Sequence, residues 1–483
     1  MHFSIIVKIL GILLMLFSFF SNLPPMVVAL IYRENTLFEF GAPLLITFSI
    51  GLILFLLTFR SKQELHTRDG FLVVVLFWTV LGTFGCLPFL FAPDPMLTFT
   101  DAVFESISGL TTTGATVITG IDELPRSILF YRQQLQWLGG MGIVALAVAV
   151  LPMLGIGGMQ LYRAEMPGPV KDNKLVPRLA ETAKALWYIY LALTLACALA
   201  YWMVGMNLFD AITHSFATIA IGGFSTHDAS IAYFNNPAVE LVAVVFMFIA
   251  GINFALHFTA WNRRSLRQYL DDPETRFYVF ILSLIAVITI VVLRISNTYD
   301  LGDSLIKGLF QVVSVTTTTG FTSADFSTWP TILPNLLLYG AIIGACAGST
   351  GGGIKVVRIL LIFKQGLREV QRLIHPRAEF PIKLGRNAVS NRVMEAVWGF
   401  FSVYVMVFMT MLLALLATGL DIVTAFSAVG ACINNLGPGL EGVALHYGDL
   451  PATAKWILCL TMLMGRLEVF TLLVLFTPTF WRR

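Results

Sequence analysis

The sequence predicts an all-α polytopic membrane protein, and three observations lead to this prediction. Of the 483 residues, 57% are hydrophobic and only 12% are charged, so there are too few polar side chains to cover a soluble fold. The charged residues gather in short clusters separated by apolar stretches of about 20 residues, the length that crosses a bilayer. Four of the connecting segments repeat one pattern. A soluble enzyme is excluded, and a net charge of +3 without a basic, aromatic-interleaved run argues against nucleic-acid binding.

Ten apolar spans are predicted. The first runs to Tyr32 through Pro24 and Pro25, and no small-x-small cleavage pattern follows it, so we interpret it as a kinked span and not as a signal peptide. An even number of spans places both termini on one side of the membrane. The other nine spans cover residues 42–59, 70–91, 128–153, 183–205, 238–261, 277–297, 332–363, 395–419 and 453–478.

Lysine and arginine are distributed unevenly between the two sides that these spans define. The side with the termini receives 22 of the 31, in loops that include 163–184 and 364–392, whereas the other side receives six. This asymmetry predicts that both termini are cytoplasmic. The opposite side carries 16 of the 28 acidic residues, and an acidic outer surface concentrates cations.

Four segments on the non-cytoplasmic side resemble one another. They read DAVFESISGLTTTGAT from Asp101, DAITHSFATIAIGGFST from Asp210, KGLFQVVSVTTTTGFTS from Lys307 and TAFSAVGACINNLGPGL from Thr424. In each segment a glycine stands 13 residues after the first residue; these are Gly114, Gly223, Gly320 and Gly437. A fixed offset in four copies is the mark of an internal repeat.

The repeat predicts the domain organisation. An N-terminal two-helix unit, residues 1–69, precedes four membrane–pore loop–membrane repeats in a pseudo-fourfold arrangement around one pore. The repeats cover residues 70–160, 161–275, 276–392 and 393–483.

Each repeated segment begins with about ten residues of helical pattern, too short to cross a bilayer of roughly 30 Å, so it must enter the membrane and return. The half-helix ends with its carbonyl pole inside the membrane, and the returning chain has carbonyls without helical partners. Such oxygens bind cations, and glycine supplies the open backbone angles that let successive carbonyls face one way. The strings TTTG, AIGG, TTTTG and NNLG contain no carboxylate and no basic residue, and therefore favour a monovalent cation over a divalent cation or an anion.

A glycine-rich stretch, GACAGSTGGGIK, lies inside the span predicted at 332–363. Each glycine in a helix costs about 1 kcal/mol relative to alanine, so the stretch predicts a break in this span. It lacks the order of a phosphate-binding loop. Because the break is predicted in only one of four repeats, we interpret it as a moving element. It would lie beneath the cation-binding carbonyl groups of the four segments, which we call the filter. Its glycines are Gly344, Gly348, Gly351, Gly352 and Gly353.

Arg466, in MLMGRLEVF, is predicted to lie in the middle of the last span. A charge at that depth costs several kcal/mol unless it meets water or a partner. A salt bridge that locks two helices is one interpretation, but Glu468 is two residues away and points elsewhere on a helix. We favour Arg466 facing the pore below the filter, where it would form a closed gate with the glycine-rich stretch.

Other polar residues have simpler interpretations. Asp101 and Asp210 are predicted to be helix N-caps. The seven histidines, including His214, His227 and His257, form no ligand-spaced cluster in the sequence. The five cysteines contain no CxxC pair, which argues against a zinc site or a disulfide framework.

Several strings resemble the TrkH family, the translocating subunits of bacterial Trk potassium-uptake systems within the Trk/Ktr/HKT superfamily. They are AIGGFSTHDAS, GACAGSTGGGIKVVRIL and GRLEVFTLLVLFTPTFW, with the shorter QWLGGMGI and LYRAEMPGP. The resemblance extends over essentially the whole chain. The resemblance implies potassium uptake through a selectivity filter and an intramembrane gating loop at the glycine-rich stretch. The implied filter residues, which would bind potassium, are Thr111, Thr112, Thr113, Gly114, Ala220, Ile221, Gly222, Gly223, Thr317, Thr318, Thr319, Gly320, Asn434, Asn435, Leu436 and Gly437.

The same resemblance implies partners and location. It implies a homodimer in the bacterial inner membrane, docked on a cytoplasmic nucleotide-binding ring of the TrkA type, with no cofactor bound by this chain. The basic loops at 163–184 and 364–392 offer the ring a surface, although basic loops are expected on that side in any case.

Two alternatives remain open. A sodium-coupled or sodium-permeable member of the same superfamily would share the fold; the resemblance implies that sodium preference accompanies a serine at the first filter glycine, and all four positions here are glycine. A membrane-embedded transferase would need a constellation of His, Asp or Ser near a membrane surface, and none is visible in the sequence. We therefore predict a transporter and not an enzyme.

Overall fold

The structure, a computed structural model, describes residues 2–61, 67–149, 175–385 and 387–482. It consists almost entirely of helices, as the sequence predicts. The one pair of strands among these residues is a short antiparallel hairpin, β1 (Lys383–Leu384) with β2 (Asn387–Ala388). The basic loop predicted at 163–184 lies partly outside the described residues.

The N-terminal unit is a pair of long helices. The first helix continues through Pro24 and Pro25 without interruption, and it packs closely on the second where Gly11 meets Gly51. A Cβ on Gly11 would lie 2.7 Å from the carbonyl oxygen of Gly51, so only glycine permits this approach. The two helices are α1 (Phe3–Tyr32) and α2 (Leu37–Thr58).

The rest of the chain passes four times through the order long helix, short helix, loop and second helix. The first pass contains α3 (Thr67–Phe84), α4 (Leu87–Phe91), α5 (Phe99–Leu110) and α6 (Arg126–Ala149). The second contains α7 (Leu175–Met203), α8 (Leu208–Ala220), α9 (Pro237–Ala250), α10 (Phe254–Arg263) and α11 (Arg267–Asp271). The third contains α12 (Pro273–Ile295), α13 (Leu301–Thr316), α14 (Ile332–Ile343) and α15 (Val356–Ile374). The fourth contains α16 (Asn391–Leu416), α17 (Ile422–Ile433), α18 (Ala452–Arg466), α19 (Phe470–Leu473) and α20 (Pro478–Trp481).

Helices long and apolar enough to cross a membrane occur throughout the described residues. Six meet this description, namely α1, α2, α3 with α4, α7, α12 and α16, and two bent pairs raise the number to eight. Among the described residues, the other two of the ten predicted spans are not uninterrupted apolar helices of this kind. One is α6, whose Arg132 and neighbouring glutamines face the protein interior; the other is divided by the glycine-rich stretch into α14 and α15.

The expectation that a second helix breaks in only one repeat is wrong. In the second pass α9 and α10 meet at 91°, and in the fourth pass α18 meets the segment Phe470–Phe476 at 108°. The first bend follows Gly251, and Asn253 restarts the helix by accepting a hydrogen bond from the backbone N–H of Ala255. Glycine content predicted only the break in the third pass. The bends in the second and fourth passes depend on capping and local backbone angles.

The short helices α5, α8, α13 and α17 are the predicted half-helices, and each begins with a capping side chain. The N-caps are Thr98, Asn207, Asp300 and Asp421, whose side-chain oxygens accept backbone N–H groups of the first turn. The prediction that Asp101 and Asp210 are N-caps is therefore wrong. Both stand three residues further on, where Asp101 accepts a hydrogen bond from Lys455 at 2.5 Å and Asp210 accepts one from Thr226 at 2.7 Å.

Candidate ion pathway

Four pore loops follow directly on the C-terminal ends of the half-helices. We define them as residues 111–114, 221–223, 317–320 and 434–437, and number them one to four. They contain every predicted filter residue except Ala220, which is the last residue of α8. All sixteen predicted residues are buried apart from Gly114 and Gly223, which are partly exposed. The carbonyl ends of four short helices are thus gathered around residues that the sequence singled out.

The four pore loops touch one another in chain order and close a ring. A Cβ on Gly114 would overlap the carbonyl oxygen of Gly222, and one on Gly223 would overlap the carbonyl oxygen of Thr319. The ring continues from loop three to loop four, where a Cβ on Gly320 would lie 2.8 Å from Cδ of Pro438. It closes at Gly437, whose Cβ would lie 2.5 Å from the carbonyl oxygen of Gly114. At three of the contacts between loops, the glycine of one loop lies against a backbone carbonyl oxygen of the next. At the contact between loops three and four, Gly320 lies against Pro438, which directly follows loop four.

A second feature common to the four loops is a left-handed residue two positions before the glycine. These residues are Thr112 (φ 53°), Ile221 (φ 54°), Thr318 (φ 69°) and Asn435 (φ 54°). A side chain in this region costs about 1–3 kcal/mol, and such strain collects at functional sites. These angles were not predicted from the sequence, because none of the four residues is glycine.

The fourth loop departs from the expected role of its glycine. Gly114, Gly223 and Gly320 have φ values of 80°, 80° and 87°, as predicted for residues that supply open backbone angles. Gly437 does not have a positive φ, because Pro438 follows it and restricts the preceding residue to extended conformations. Glycine is needed at 437 for the close approach to Gly114 and not for its backbone angle.

Hydrogen bonds between side chains fix the pore loops from behind. The hydroxyl groups of Thr111 and Thr113 lie 2.7 Å apart, and those of Thr317 and Thr319 lie 2.8 Å apart. Nδ2 of Asn435 donates to the Thr113 hydroxyl at 3.1 Å and so joins loop four to loop one. The side chains of these threonines and of Asn435 therefore stabilise the loops by hydrogen bonds to one another. The backbone oxygens are the candidate ion ligands.

A buried ion pair stands behind loops one and two. Nε of Arg132 on α6 donates to Glu105 on α5 at 2.9 Å, and both side chains are almost completely buried. The same carboxylate accepts the backbone N–H of Val117 at 2.9 Å, while Arg132 donates to the carbonyl oxygen of Ser225 at 3.0 Å. The pair thereby holds the chain that leaves loop one against the chain that leaves loop two. Neither residue was predicted from the sequence to have a role.

The glycine-rich stretch forms an irregular segment, residues 344–355, directly against the inner side of the ring. Three contacts define its position. The hydroxyl of Thr350 donates to the carbonyl oxygen of Ile219 at 2.9 Å, and the N–H of Gly352 donates to the hydroxyl of Thr318 at 2.7 Å. A Cβ on Gly352 would overlap the carbonyl oxygen of Asn434. The segment therefore touches the carbonyl ends of the second, third and fourth half-helices.

Arg466 reaches the same segment from the fourth pass. Its Nη1 donates to the carbonyl oxygen of Thr350 at 3.1 Å, and its guanidinium lies 5.8 Å from the ring centre of Trp78. Its Nε and Nη2 atoms have no hydrogen-bond partner among the described residues, and Arg466 is only 7% exposed. It forms no ion pair within the described chain. Glu468 pairs instead with Arg358, at 2.5 Å.

A cavity of about 50 Å³ lies at this level. Asn435 of pore loop four and Gly351 of the segment 344–355 line it, together with the charged residues Lys355, Arg358, Arg466 and Glu468. An arginine without a carboxylate partner among the described residues therefore lines a small cavity that pore loop four and the segment 344–355 also border. This arrangement does not fit the interpretation of Arg466 as a helix-locking salt bridge.

A charged cluster lies on the outer side of loops one and two. Nδ1 of His227 donates to Asp122 at 2.5 Å, and Nε2 donates to Asp210 at 3.3 Å. Burial alone would lower the pKa of His227, but the hydrogen bonds to Asp210 and Asp122 outweigh it, so the pKa lies above its ordinary value of 6.5. Partial burial would raise the pKa of Asp122, but its bond to His227 prevails and lowers the pKa below 3.8. His227 in its charged form therefore links the chain that follows loop one to the chain that follows loop two.

Protein groups suited to hold a resident metal are not assembled in the described residues. Among these residues, no group of three or more His, Cys, Asp or Glu side chains is arranged so that it could hold a metal ion. His214, which the sequence predicted to be packed or solvated, is buried, and its ring contacts the carbonyl oxygen of Asp210 and the hydroxyl of Ser225 at 2.9 Å each. The five cysteines are all free and buried. The oxygen atoms gathered at the ring are neutral backbone and hydroxyl oxygens.

Short half-helices whose carbonyl ends meet at a closed ring of re-entrant loops, within an all-α membrane protein, define the pore-loop class of cation-conducting proteins. Comparison with known families agrees. The chain belongs to the TrkH family of cation transport proteins, which matches residues 37–483.

Individual relatives match over their whole length. The chain is 57% identical over 483 residues to the Trk system potassium uptake protein TrkH of Halomonas elongata and, to the same degree, to that of Escherichia coli K12, each covering 100% of both chains. Its structure is similar to the crystal structure of the potassium transporter TrkH from Vibrio parahaemolyticus, with a TM-score of 0.93, 55% identity and 100% coverage of both chains.

Proposed function

We propose that this chain takes up potassium across the bacterial inner membrane through a selectivity filter formed by the four pore loops. The observation that carries the proposal is the closed ring of loops one to four, in which glycines alternate with neighbouring backbone oxygens. A ring of neutral oxygens can replace the hydration shell of a monovalent cation without the charge that would trap a divalent one. Relatives of equal length are potassium uptake proteins, which supports potassium as the transported ion.

Entry from the outside is the direction that the charge distribution favours. The outer side carries acidic residues, and the half-helices end with their negative poles at the ring. A membrane potential that is negative inside contributes about 2.3 kcal/mol per elementary charge per 100 mV to inward movement of a cation. In this proposal both termini are cytoplasmic, and potassium reaches Gly114 only from the outer mouth.

The closed gate consists of the segment 344–355 and Arg466. The segment lies against the inner side of the ring, and Arg466 donates to its Thr350 carbonyl oxygen. A fixed positive charge beside the pathway raises the barrier to potassium, so the gate opens when the segment and the arginine move away together. The irregular backbone, rich in glycine, gives the segment the freedom to move.

Regulation is proposed to come from the cytoplasmic side. The chain would form a homodimer and dock on a nucleotide-binding ring of the TrkA type. Helix α15 connects the gate segment directly to this side, because it begins at Val356 and continues to Ile374. A partner that moves α15 would pull on the segment beneath the filter.

Rubidium uptake into proteoliposomes that contain only this protein tests the proposal. We expect rubidium flux that excess potassium suppresses and that equal sodium leaves nearly unchanged. Suppression by sodium as strong as that by potassium would favour the alternative of a sodium-permeable member of the superfamily. Absence of any cation flux, including in variants without the gate arginine, would contradict the proposal as a whole.

A further inference from the structure

The side chain of Gln136 on α6 reaches the seam between pore loops one and two. Its Nε2 donates to the carbonyl oxygen of Gly222 at 2.6 Å, and its Oε1 accepts the backbone N–H of Phe224 at 3.1 Å. Gln136 is completely buried. One amide group therefore holds both ends of the peptide segment that contains Gly223.

Gln136 also fills the space beside the two filter glycines at this seam. A Cβ on Gly222 would overlap its amide carbon, and a Cβ on Gly114 would lie 3.6 Å from its Nε2. The Gly222 carbonyl oxygen lies between Gly114 and this donor. The hydrogen bond from Nε2 of Gln136 sets the orientation of the Gly222 carbonyl relative to the pathway. Without it, the peptide plane of a glycine is free to rotate.

A glutamine that donates to a pore loop is present on the second helix of the first repeat, but not at the matching position of the fourth repeat. Gly139 on α6 and Gly465 on α18 occupy matching positions, since a Cβ on either would overlap the last carbonyl oxygen of its own half-helix, that of Leu110 or Ile433. Three residues before Gly465 stands Met462, whose thioether cannot donate a hydrogen bond. The amide at Gln136 is thus not a general requirement for packing a second helix against the pore.

We propose that Gln136 is a positioning residue for ion selectivity, which sets the orientation of the Gly222 carbonyl and the width of the ring between loops one and two. The inference rests on the proposed function of the ring as a potassium filter. Without the amide, the segment from Gly222 to Phe224 loses both of its side-chain bonds, and the ring can close around a smaller ion. The discrimination between potassium and sodium then falls while conduction itself continues.

The test compares three variants in proteoliposomes by the ratio of rubidium to sodium flux. Gln136→Leu removes both hydrogen bonds and should lower the ratio roughly tenfold, the effect expected from losing one or two net hydrogen bonds. Gln134→Leu is the matched control: Gln134 is a buried glutamine on the same helix, but its Nε2 donates to the carbonyl oxygen of Phe20, away from the ring. That variant should keep the parental ratio.

Gln136→Glu tests the positioning role through the pH dependence of the flux ratio, which would not change if Gln136 had only a structural role. A protonated carboxyl can donate to the Gly222 oxygen as the amide does, whereas a carboxylate cannot. The variant should therefore discriminate like the parent at low pH, where its carboxyl is protonated, and lose discrimination as the pH rises. The parent should show no such profile.

The outcomes separate this inference from the proposed function. If the parent conducts neither rubidium nor sodium, the proposed function fails. If the parent discriminates and both Gln136 variants retain its ratio at every pH, the positioning role fails. If Gln136→Leu does not fold, the pH profile of Gln136→Glu decides, and a flat profile or failure of both variants to fold while Gln134→Leu folds would overturn the inference.

Discussion

Arg466 donates a hydrogen bond to the carbonyl oxygen of Thr350 at 3.1 Å, so the end of α18 is tied to the irregular segment that contacts the pore loops. The two residues are 116 positions apart in the sequence and belong to different repeats. The bond uses only Nη1 of the guanidinium; Nε and Nη2 have no hydrogen-bond partner among the described residues, and Arg466 lines the adjacent cavity. A residue that both fastens the segment and carries an unpaired charge has the properties of a gate element.

Replacement of Arg466 by alanine should increase rubidium flux in protein purified without a cytoplasmic partner. Coulomb repulsion at 4 Å with an effective dielectric constant of about 20 amounts to about 4 kcal/mol, which corresponds to roughly a thousandfold in rate. Shortening the segment 344–355 by two or three residues should have the same direction of effect. Arg466→Lys retains the charge and serves as the control, with flux near that of the parent. Well-folded alanine and shortened variants that conduct no faster than the parent would argue for a structural role.

Serine at Gly114, Gly223 or Gly320 should weaken discrimination between potassium and sodium. A side chain at Gly114 or Gly223 would overlap the next loop's carbonyl oxygen, whereas at Gly320 it would meet Cδ of Pro438 at 2.8 Å. We therefore expect the larger loss of selectivity in the first two variants, measured as the ratio of rubidium to sodium flux.

Gly120→Ser is the matched control for these glycines. Gly120 also has a positive φ, of 71°, but no atom lies within 4 Å of where its Cβ would be. Its substitution introduces the same backbone strain without touching the ring, so the flux ratio should not change. Unchanged ratios in all of the filter variants would mean that these glycines do not form the filter.

The predicted topology can be tested by labelling, since all five native cysteines are buried. Met96 precedes α5 on the predicted outer side and is 89% exposed, whereas Leu373 near the end of α15 is 83% exposed on the predicted cytoplasmic side. An impermeant maleimide should label Met96→Cys in intact cells and Leu373→Cys only after the cells are opened. A reporter fused after Arg483 should be active in the cytoplasm. Labelling in the opposite pattern would refute the topology and the alignment of the repeats.

The His227 cluster predicts a pH-dependent stability. The groups that face His227 are Asp122 from the first pass and Asp210 and His214 from α8. Because the pKa of His227 is raised by folding, its contribution to stability is complete below the ordinary histidine pKa of 6.5 and is lost as the pH rises through the folded pKa. The melting temperature in detergent should therefore fall by a few degrees above neutral pH.

The control for this prediction is His227→Gln, which retains a polar side chain but cannot be charged. Its melting temperature should be lower at acidic pH and should lack the decline that the parent shows. A decline of equal size in parent and variant would show that another group titrates. The lowered pKa of Asp122 acts at much lower pH, since stability gained from a depressed carboxyl pKa is lost only as pH falls through it.

The membrane class could be predicted from the sequence alone, and so could the repeated unit of half-helix and loop. Apolar length and charge clustering decide whether a segment enters a bilayer, and a glycine at one offset in four copies marks a backbone that must bend at equivalent points. Both are local properties, so they can be read from residues such as Gly114 and Gly320 without knowing what lies beside them. The break at Gly344 to Gly353 was predictable for the same reason.

Tertiary structure decided which groups these local features meet. Asp101 looks like a helix cap in the sequence, but Thr98 holds that position and leaves Asp101 to bind Lys455, more than 350 residues away. Likewise, nothing near Gln136 in the chain indicates that its amide would reach Gly222, and the left-handed angle of Thr112 depends on the loops packed around it. Contacts between distant segments are set by the way the four passes pack against one another, and the sequence of a single pass does not contain that information.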